Sequence, residues 1–207
     1  MFINSNQDFI YHKKGFVPSS VCESIIDYYE NHPLKVPGVV YTGVNGELVI
    51  DREVKDSMEV GCDFSTSQTG CLFHLHHYLA QLIGEYKKKY EFLNELMRWN
   101  LSPQYNIQKY DPMGGYFSLH SEHGPGNDES RRIMAWMVYL NDVYDGGHTS
   151  FPSQKKKFQP RVGDALIWPA FWTHPHHGIV SKTETKYIVT GWMGYSWRNG
   201  DINIQKE

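Results

Sequence analysis

The chain has 207 residues, a formal net charge of −3 and a pI near 6.4, enough length to bury one full core and no electrostatic reason to expect a nucleic-acid partner. Its three cysteines, Cys22, Cys62 and Cys71, are too few and too irregularly spaced for a disulfide framework or a C-x-x-C zinc site. The N-terminus lacks an apolar segment followed by a small-residue cleavage site, and no run of about 18 apolar residues occurs, so a cytoplasmic protein off the membrane is expected.

In chain order, helical patterning comes first. Ser19 or Ser20 is suited to cap a helix whose face carries Cys22, Ile25, Ile26 and Tyr29. Residues 38–50 read as a hairpin, with Asn45-Gly46 accepting positive φ at the turn. The stretch 67–96 is helix-compatible, with Leu72, His76, Leu79 and Ile83 at steps of three and four residues. It also holds His74, His76 and His77, but no carboxylate motif accompanies them, so packing and surface are the preferred reading. The Lys triplets at 87–89 and 155–157 read as solvated faces.

From residue 103 the pattern turns to short strands, expected at 104–110, 116–122, 132–140, 164–168, 177–181 and 186–194 and broken by Gly- and Pro-containing turns. Strands at this spacing argue for an all-β sandwich or barrel. The expected organisation is a single domain over 1–207, with 1–100 supplying helical support plus a hairpin and 101–199 the β core. Alternation places Asn106, Gln108 and Tyr110 on one face and Tyr105 and Ile107 on the other, while Lys186, Ile188, Thr190 and Trp192 share a face. A face mixing Lys, Thr and Trp suits a barrel that holds a charged ligand better than a dry core, where an unpaired ammonium is costly.

His120 and Glu122 stand two residues apart, so on a strand both reach one side. With a third ligand from elsewhere they would form a two-histidine, one-carboxylate set, which leaves open positions on an octahedral iron(II). The second His-rich stretch, Trp172-Thr173-His174-Pro175-His176-His177-Gly178, offers three imidazoles; His176 and His177 lie ten and nine residues before Lys186.

These residues carry a resemblance. Tyr110, His120-Ser121-Glu122, Tyr139-Leu140-Asn141, Gly146-Gly147-His148-Thr149, His176 and Lys186, in that order, resemble the pattern of the iron(II)/2-oxoglutarate dioxygenases of the prolyl 4-hydroxylase type, most closely the compact versions of marine phages and bacteria. The resemblance covers about Tyr105 to Trp192 closely and the N-terminal helices loosely. It implies a mainly β fold, a double-stranded β-helix or jelly roll packed against helices. It also implies Fe(II), 2-oxoglutarate and O2, with ascorbate as reductant, and a monomer or homodimer.

Carried onto this chain, it implies His120, Glu122 and His176 as metal ligands and Lys186 as the cation for the far carboxylate of 2-oxoglutarate. His176 followed by His177 and Gly178 matches the phage-type pattern, so His176 is preferred over its neighbours. His174 is then expected beside it or facing substrate, and His177 pointing away. Tyr110, Tyr139 and Thr190 are expected to hydrogen-bond the keto acid, and Trp192 to wall the distal histidine. Glu122 departs from the usual aspartate, which puts the geometry of the site in question. Its presence argues for hydroxylation, since halogenating relatives lack the carboxylate. His123 is expected to alternate away, and 123–130 to form a lid over the substrate. The expected substrate is proline in a peptide or protein. The alternatives are a free amino acid or small metabolite, or a non-enzymatic cupin-like metal-binding module.

Overall fold

The computed structural model describes residues 7–41, 47–65 and 70–195. Its elements in chain order are β1 (Tyr11–Lys13), α1 (Ser19–Asn31), β2 (Val36–Pro37), β3 (Val40–Tyr41), β4 (Leu48–Val49), β5 (Lys55–Asp56), β6 (Met58–Asp63), α2 (Gly70–Lys89), β7 (Trp99–Tyr110), β8 (Gly115–Tyr116), β9 (Arg132–Tyr139), β10 (Thr149–Phe151), β11 (Lys156–Phe158), β12 (Ala165–Pro169), β13 (His177–Gly178) and β14 (Lys186–Tyr195). One antiparallel sheet runs β1-β12-β9-β14-β7-β6-β2. The three-stranded β11-β10-β13 and the pair β5-β8 form the smaller layer, and β3-β4 is a separate hairpin. The fold is the expected jelly roll with two supporting helices.

The period of two decides what lies on each side of the large sheet. Along β9, Met134, Trp136 and Val138 join the core shared with the helices, while Ala135, Met137 and Tyr139 join the core between the layers. Tyr105 and Ile107 of β7 and Val189 of β14 likewise face the helices. Against them α1 brings Cys22, Ile25 and Tyr29, and α2 brings Leu72, Leu75, Leu79, Leu82, Ile83 and Tyr86. Each such aliphatic side chain stabilises by roughly 1.5–3 kcal/mol on burial.

Several sequence expectations shift. No serine side chain caps α1; Pro18 precedes it with φ −55° and its carbonyl accepts from Val21 and Cys22 N–H. Proline's fixed φ and missing N–H suit that position. Residues 38–50 do hold a hairpin, β3 with β4, although Asn45-Gly46 lies outside the described residues. The expected long helix is α2 alone, with a 3-10 turn at Glu91–Asn94. His74 and His77 are exposed on it, and His76 packs against Phe64 and shares a hydrogen bond with the Tyr105 hydroxyl at 3.1 Å. The large sheet also crosses the expected division at residue 100, since β1, β2 and β6 belong to it.

Candidate active site

The interior face of β7 and β14 lines a cavity of about 580 Å³ between the layers, into which Gln104, Asn106, Gln108 and Tyr110 face, as do Lys186, Ile188, Thr190 and Trp192. Both sets are the faces the sequence alternation defines. Trp192 keeps its place although the β14 register against β7 shifts between Gly191 and Met193. Gly191 is required there, because a Cβ would lie 2.7 Å from Trp136 and 2.8 Å from Tyr105.

The expected strand 116–122 is not regular: only β8 and an isolated bridge remain. His120 and His176 exchange both backbone hydrogen bonds, at 3.0 and 2.9 Å. Residues paired in this way point to the same face, so the bridge, more than strand periodicity, brings the two rings to a centroid distance of 4.4 Å. Glu122 is fixed by its own N–H on the Ala170 carbonyl at 3.0 Å. One ligand atom from each of His120, Glu122 and His176 lies within 4.8 Å of the others, the one such group among the described residues. His123 turns away, bonding the Arg132 carbonyl at 3.1 Å and packing on Phe171.

The protonation of this group follows from its partners. His120 Nδ1 is 2.9 Å from the Ser118 carbonyl and His176 Nδ1 is 3.1 Å from the His174 carbonyl. A carbonyl only accepts, so each Nδ1 carries the proton and each neutral ring turns the Nε2 lone pair inward. Burial, with the neighbouring His176, holds His120 far below the ordinary imidazole range. Burial alone would raise Glu122, but the hydrogen bond and charge it meets whenever His176 is protonated, with His120 and Arg132, hold its carboxyl well below the carboxylate range. Glu122 Oε1 lies 3.2 Å from His176 Nε2 and 3.8 Å from His120 Nε2. Two imidazole lone pairs and a carboxylate thus converge on one point, the donor set that suits a divalent ion such as iron(II). Tyr116 stacks on His120 at 3.6 Å, and Phe151 and Trp168 flank His176, each at 5.1 Å.

Lys186 occupies the other part of the cavity wall. Its Nζ donates to the Gly147 carbonyl at 3.2 Å and lies 4.5 Å over the Tyr110 ring, with no carboxylate in ion-pair contact among the described residues. Burial lowers its pKa to about 8. The Gly146-Gly147 turn aims that carbonyl; both residues have positive φ, 150° and 71°, and a Cβ on Gly146 would lie 2.0 Å from the Val180 carbonyl oxygen.

The other expected residues divide. Tyr110 faces the cavity with its hydroxyl donating to Gln108 Oε1 at 2.7 Å, and Thr190 faces it while donating to the Trp136 carbonyl at 2.8 Å. Tyr139 is a correction: its hydroxyl is held by Thr149 at 2.7 Å and the Phe158 carbonyl at 3.0 Å, and it is not among the cavity-lining residues. His174 is also outside the lining, fixed by the Asp8 carbonyl at 2.7 Å, and acts on the site through its own carbonyl. His177 corrects the other way, since it lines the cavity. Trp192 walls the carboxylate more directly than the histidine, donating to Glu122 Oε2 at 2.7 Å.

Sequence reasoning missed Arg132, whose guanidinium lies 3.7 Å over the Trp192 ring and donates to Glu129 at 3.1 Å. A charge opening the otherwise apolar strand 132–140 was the available signal. It also missed the buried Lys55–Glu59 pair at 2.6 Å in the cavity wall, because β5 is two residues long.

Residues 105–194 match the family model of the 2OG-Fe(II) oxygenase superfamily. The chain is 24% identical over 210 residues to prolyl 4-hydroxylase 13 of Arabidopsis thaliana, covering 89% of this chain and 70% of that protein. Two further curated relatives match over only 29% and 49% of their length, so the chain spans less than half of those proteins. Among solved structures, a viral collagen prolyl hydroxylase from Paramecium Bursaria Chlorella virus-1, in a 2OG complex, superposes with a TM-score of 0.64 at 16% identity, over 91% of this chain and 97% of that one. A Trichoplax adhaerens prolyl hydroxylase, bound to a hypoxia inducible factor peptide fragment, superposes with a TM-score of 0.70 at 16% identity, over 91% and 84%.

Proposed function

We propose that this chain, whose residues 105–194 match the 2OG-Fe(II) oxygenase superfamily and which is similar to prolyl 4-hydroxylases, is an Fe(II)/2-oxoglutarate-dependent dioxygenase that couples decarboxylation of 2-oxoglutarate to succinate and CO2 with hydroxylation of a substrate carbon. The observation that carries this reading is the convergence of three lone-pair ligands, His120, Glu122 and His176, in the same cavity as a buried Lys186 that meets no carboxylate among the described residues. Iron(II) held there by His120, Glu122 and His176 would supply open coordination positions for keto acid and oxygen, the electrons that reduce oxygen coming from oxidation of the keto acid and of the substrate. The chain's own residues do the rest. Ser118 and His174 keep both imidazoles in the ligating tautomer. Lys186 binds the far carboxylate of the keto acid, which relieves an ammonium that burial otherwise penalises. Tyr110 and Thr190 line the cavity with their hydroxyl protons given to Gln108 and the Trp136 carbonyl, so each must turn to donate to the acceptor-only keto acid, and Trp168 and Phe151 exclude water from His176.

The substrate we propose is proline in a peptide or protein. The named relatives and the peptide-bound neighbour support it, as does a cavity mouth shared by the β3–β4 hairpin and residues 124–129. A second reading, a free amino acid or small polar metabolite, is favoured by the buried Lys55–Glu59 pair beside Gln104 and Asn106. The unpaired Cys22, Cys62 and Cys71 support a reducing, cytoplasmic setting. Anaerobic addition of iron(II) and 2-oxoglutarate tests the reaction class: keto-acid chelation produces a weak visible charge-transfer band. Absence of the band with intact protein, or a band untouched by His120→Ala, would overturn it. A peptide-library screen for a mass gain of one oxygen then separates the two substrate readings.

A further inference from the structure

Glutamate carries one methylene and one torsion more than aspartate, so a glutamate ligand needs an anchor besides its own backbone. The two carboxylate oxygens of Glu122 are already sorted. Oε1 faces the Nε2 atoms of His176 and His120, at 3.2 and 3.8 Å. Oε2 accepts the Trp192 indole N–H at 2.7 Å and has the Arg132 Nη1 at 3.9 Å. The indole is held from its other face by the Arg132 guanidinium, 3.7 Å over the ring. Arg132 is in turn fixed by the Glu122 carbonyl at 3.2 Å and by Glu129 at 3.1 Å.

Resting on the iron reading above, we infer that Trp192 and Arg132 form a clamp on the outer oxygen of Glu122 that makes it a one-oxygen metal ligand. Trp192 is then a positioning residue, acting on the metal only through Glu122. An indole nitrogen has a single N–H and no acceptor. A carboxylate turned to give both oxygens to the metal would leave that N–H without its partner, a loss that favours the clamped geometry. The same clamp explains how glutamate serves here: its extra length is what lets one carboxylate reach the metal point and the indole together. An aspartate on the same backbone that reaches the metal point falls short of the indole.

The test is anaerobic titration of the full chain with Mn(II) and with Fe(II) plus 2-oxoglutarate, comparing wild type, Trp192→Phe, Glu122→Asp and the double variant. Phenylalanine keeps an aromatic ring and removes the N–H. The clamp predicts that Trp192→Phe weakens metal binding about 10- to 100-fold, the usual effect of losing a group that orients a ligand, and shifts the charge-transfer band. In the Glu122→Asp background the same change adds less than about twofold, because the contact it removes is already gone. If wild type forms the band while Trp192→Phe binds within twofold of it and leaves the band unmoved, or if the two substitutions multiply, the clamp is refuted. A wild type that binds neither Mn(II) nor Fe(II) refutes the iron reading itself. Should metal-free Trp192→Phe fail to melt cooperatively, Arg132→Lys gives the same decision: a weakened metal affinity supports the clamp and an unchanged one overturns it.

Discussion

Among the described residues no carboxylate pairs with Lys186, and its chemistry sets a pH dependence. Burial lowers its pKa from 10.5 to about 8. Below that value the ammonium is ready for an anion; above it, binding a carboxylate must first take up a proton, so 2-oxoglutarate affinity falls by about tenfold per unit as pH rises past 8. Calorimetric titration between pH 6.5 and 9.5 measures this, and Lys186→Arg should flatten the profile because guanidinium stays charged. Lys186→Ala should weaken 2-oxoglutarate binding far more than iron binding; equal losses would contradict its role. Lys186, His120, Glu122 and His176 were legible because their residue types fit one chemistry at one spacing. The tie between Trp192 and Glu122 was not, since it joins positions 70 residues apart in sequence. Tyr139 misled for the same reason: the partners that hold its hydroxyl, Thr149 and Phe158, come from β10 and β11, which the sequence pattern did not distinguish.

Two elements meet at the cavity mouth, the β3–β4 hairpin and the loop 124–129, and the Tyr41 hydroxyl donates across to Glu129 Oε1 at 2.7 Å. We propose the loop as a lid. Tyr41→Phe should accelerate proteolysis within residues 123–130 and raise the substrate KM several-fold while leaving iron affinity unchanged, the lost bond stabilising by about 1 kcal/mol at this part-exposed position. If neither 2-oxoglutarate nor substrate slows that proteolysis, the lid assignment is wrong. Strands 104–110, 132–140, 164–168 and 186–194 were readable because each is long enough to show alternation or an unbroken apolar run. β1, β5, β10 and β11 have two or three residues each, too short for any period to register. The pairing of His120 with His176 was unreadable for another reason, being a bridge outside any strand.

At the scale of the molecule, stability resides in the core between the helices and the large sheet. Leu79 is 1% exposed within it, and Leu79→Ala should cost about 2–5 kcal/mol by urea denaturation. Ligands add by mass action: a metal or 2-oxoglutarate present at 100 times its Kd should raise the unfolding free energy by about 2.7 kcal/mol, and a chelator should reverse the metal's share. The strand order has a consequence for how the chain is made. β14 is the last described strand, yet it pairs with both β9 and β7 at the middle of the sheet. During N-to-C synthesis the two halves, β1-β12-β9 and β7-β6-β2, therefore carry bare inner edges until residues 186–195 leave the ribosome. His120, Glu122 and His176 are all synthesised before β14, whereas Trp192 arrives with it. The Trp192 hydrogen bond that anchors Glu122 thus forms only when the central strand closes the sheet.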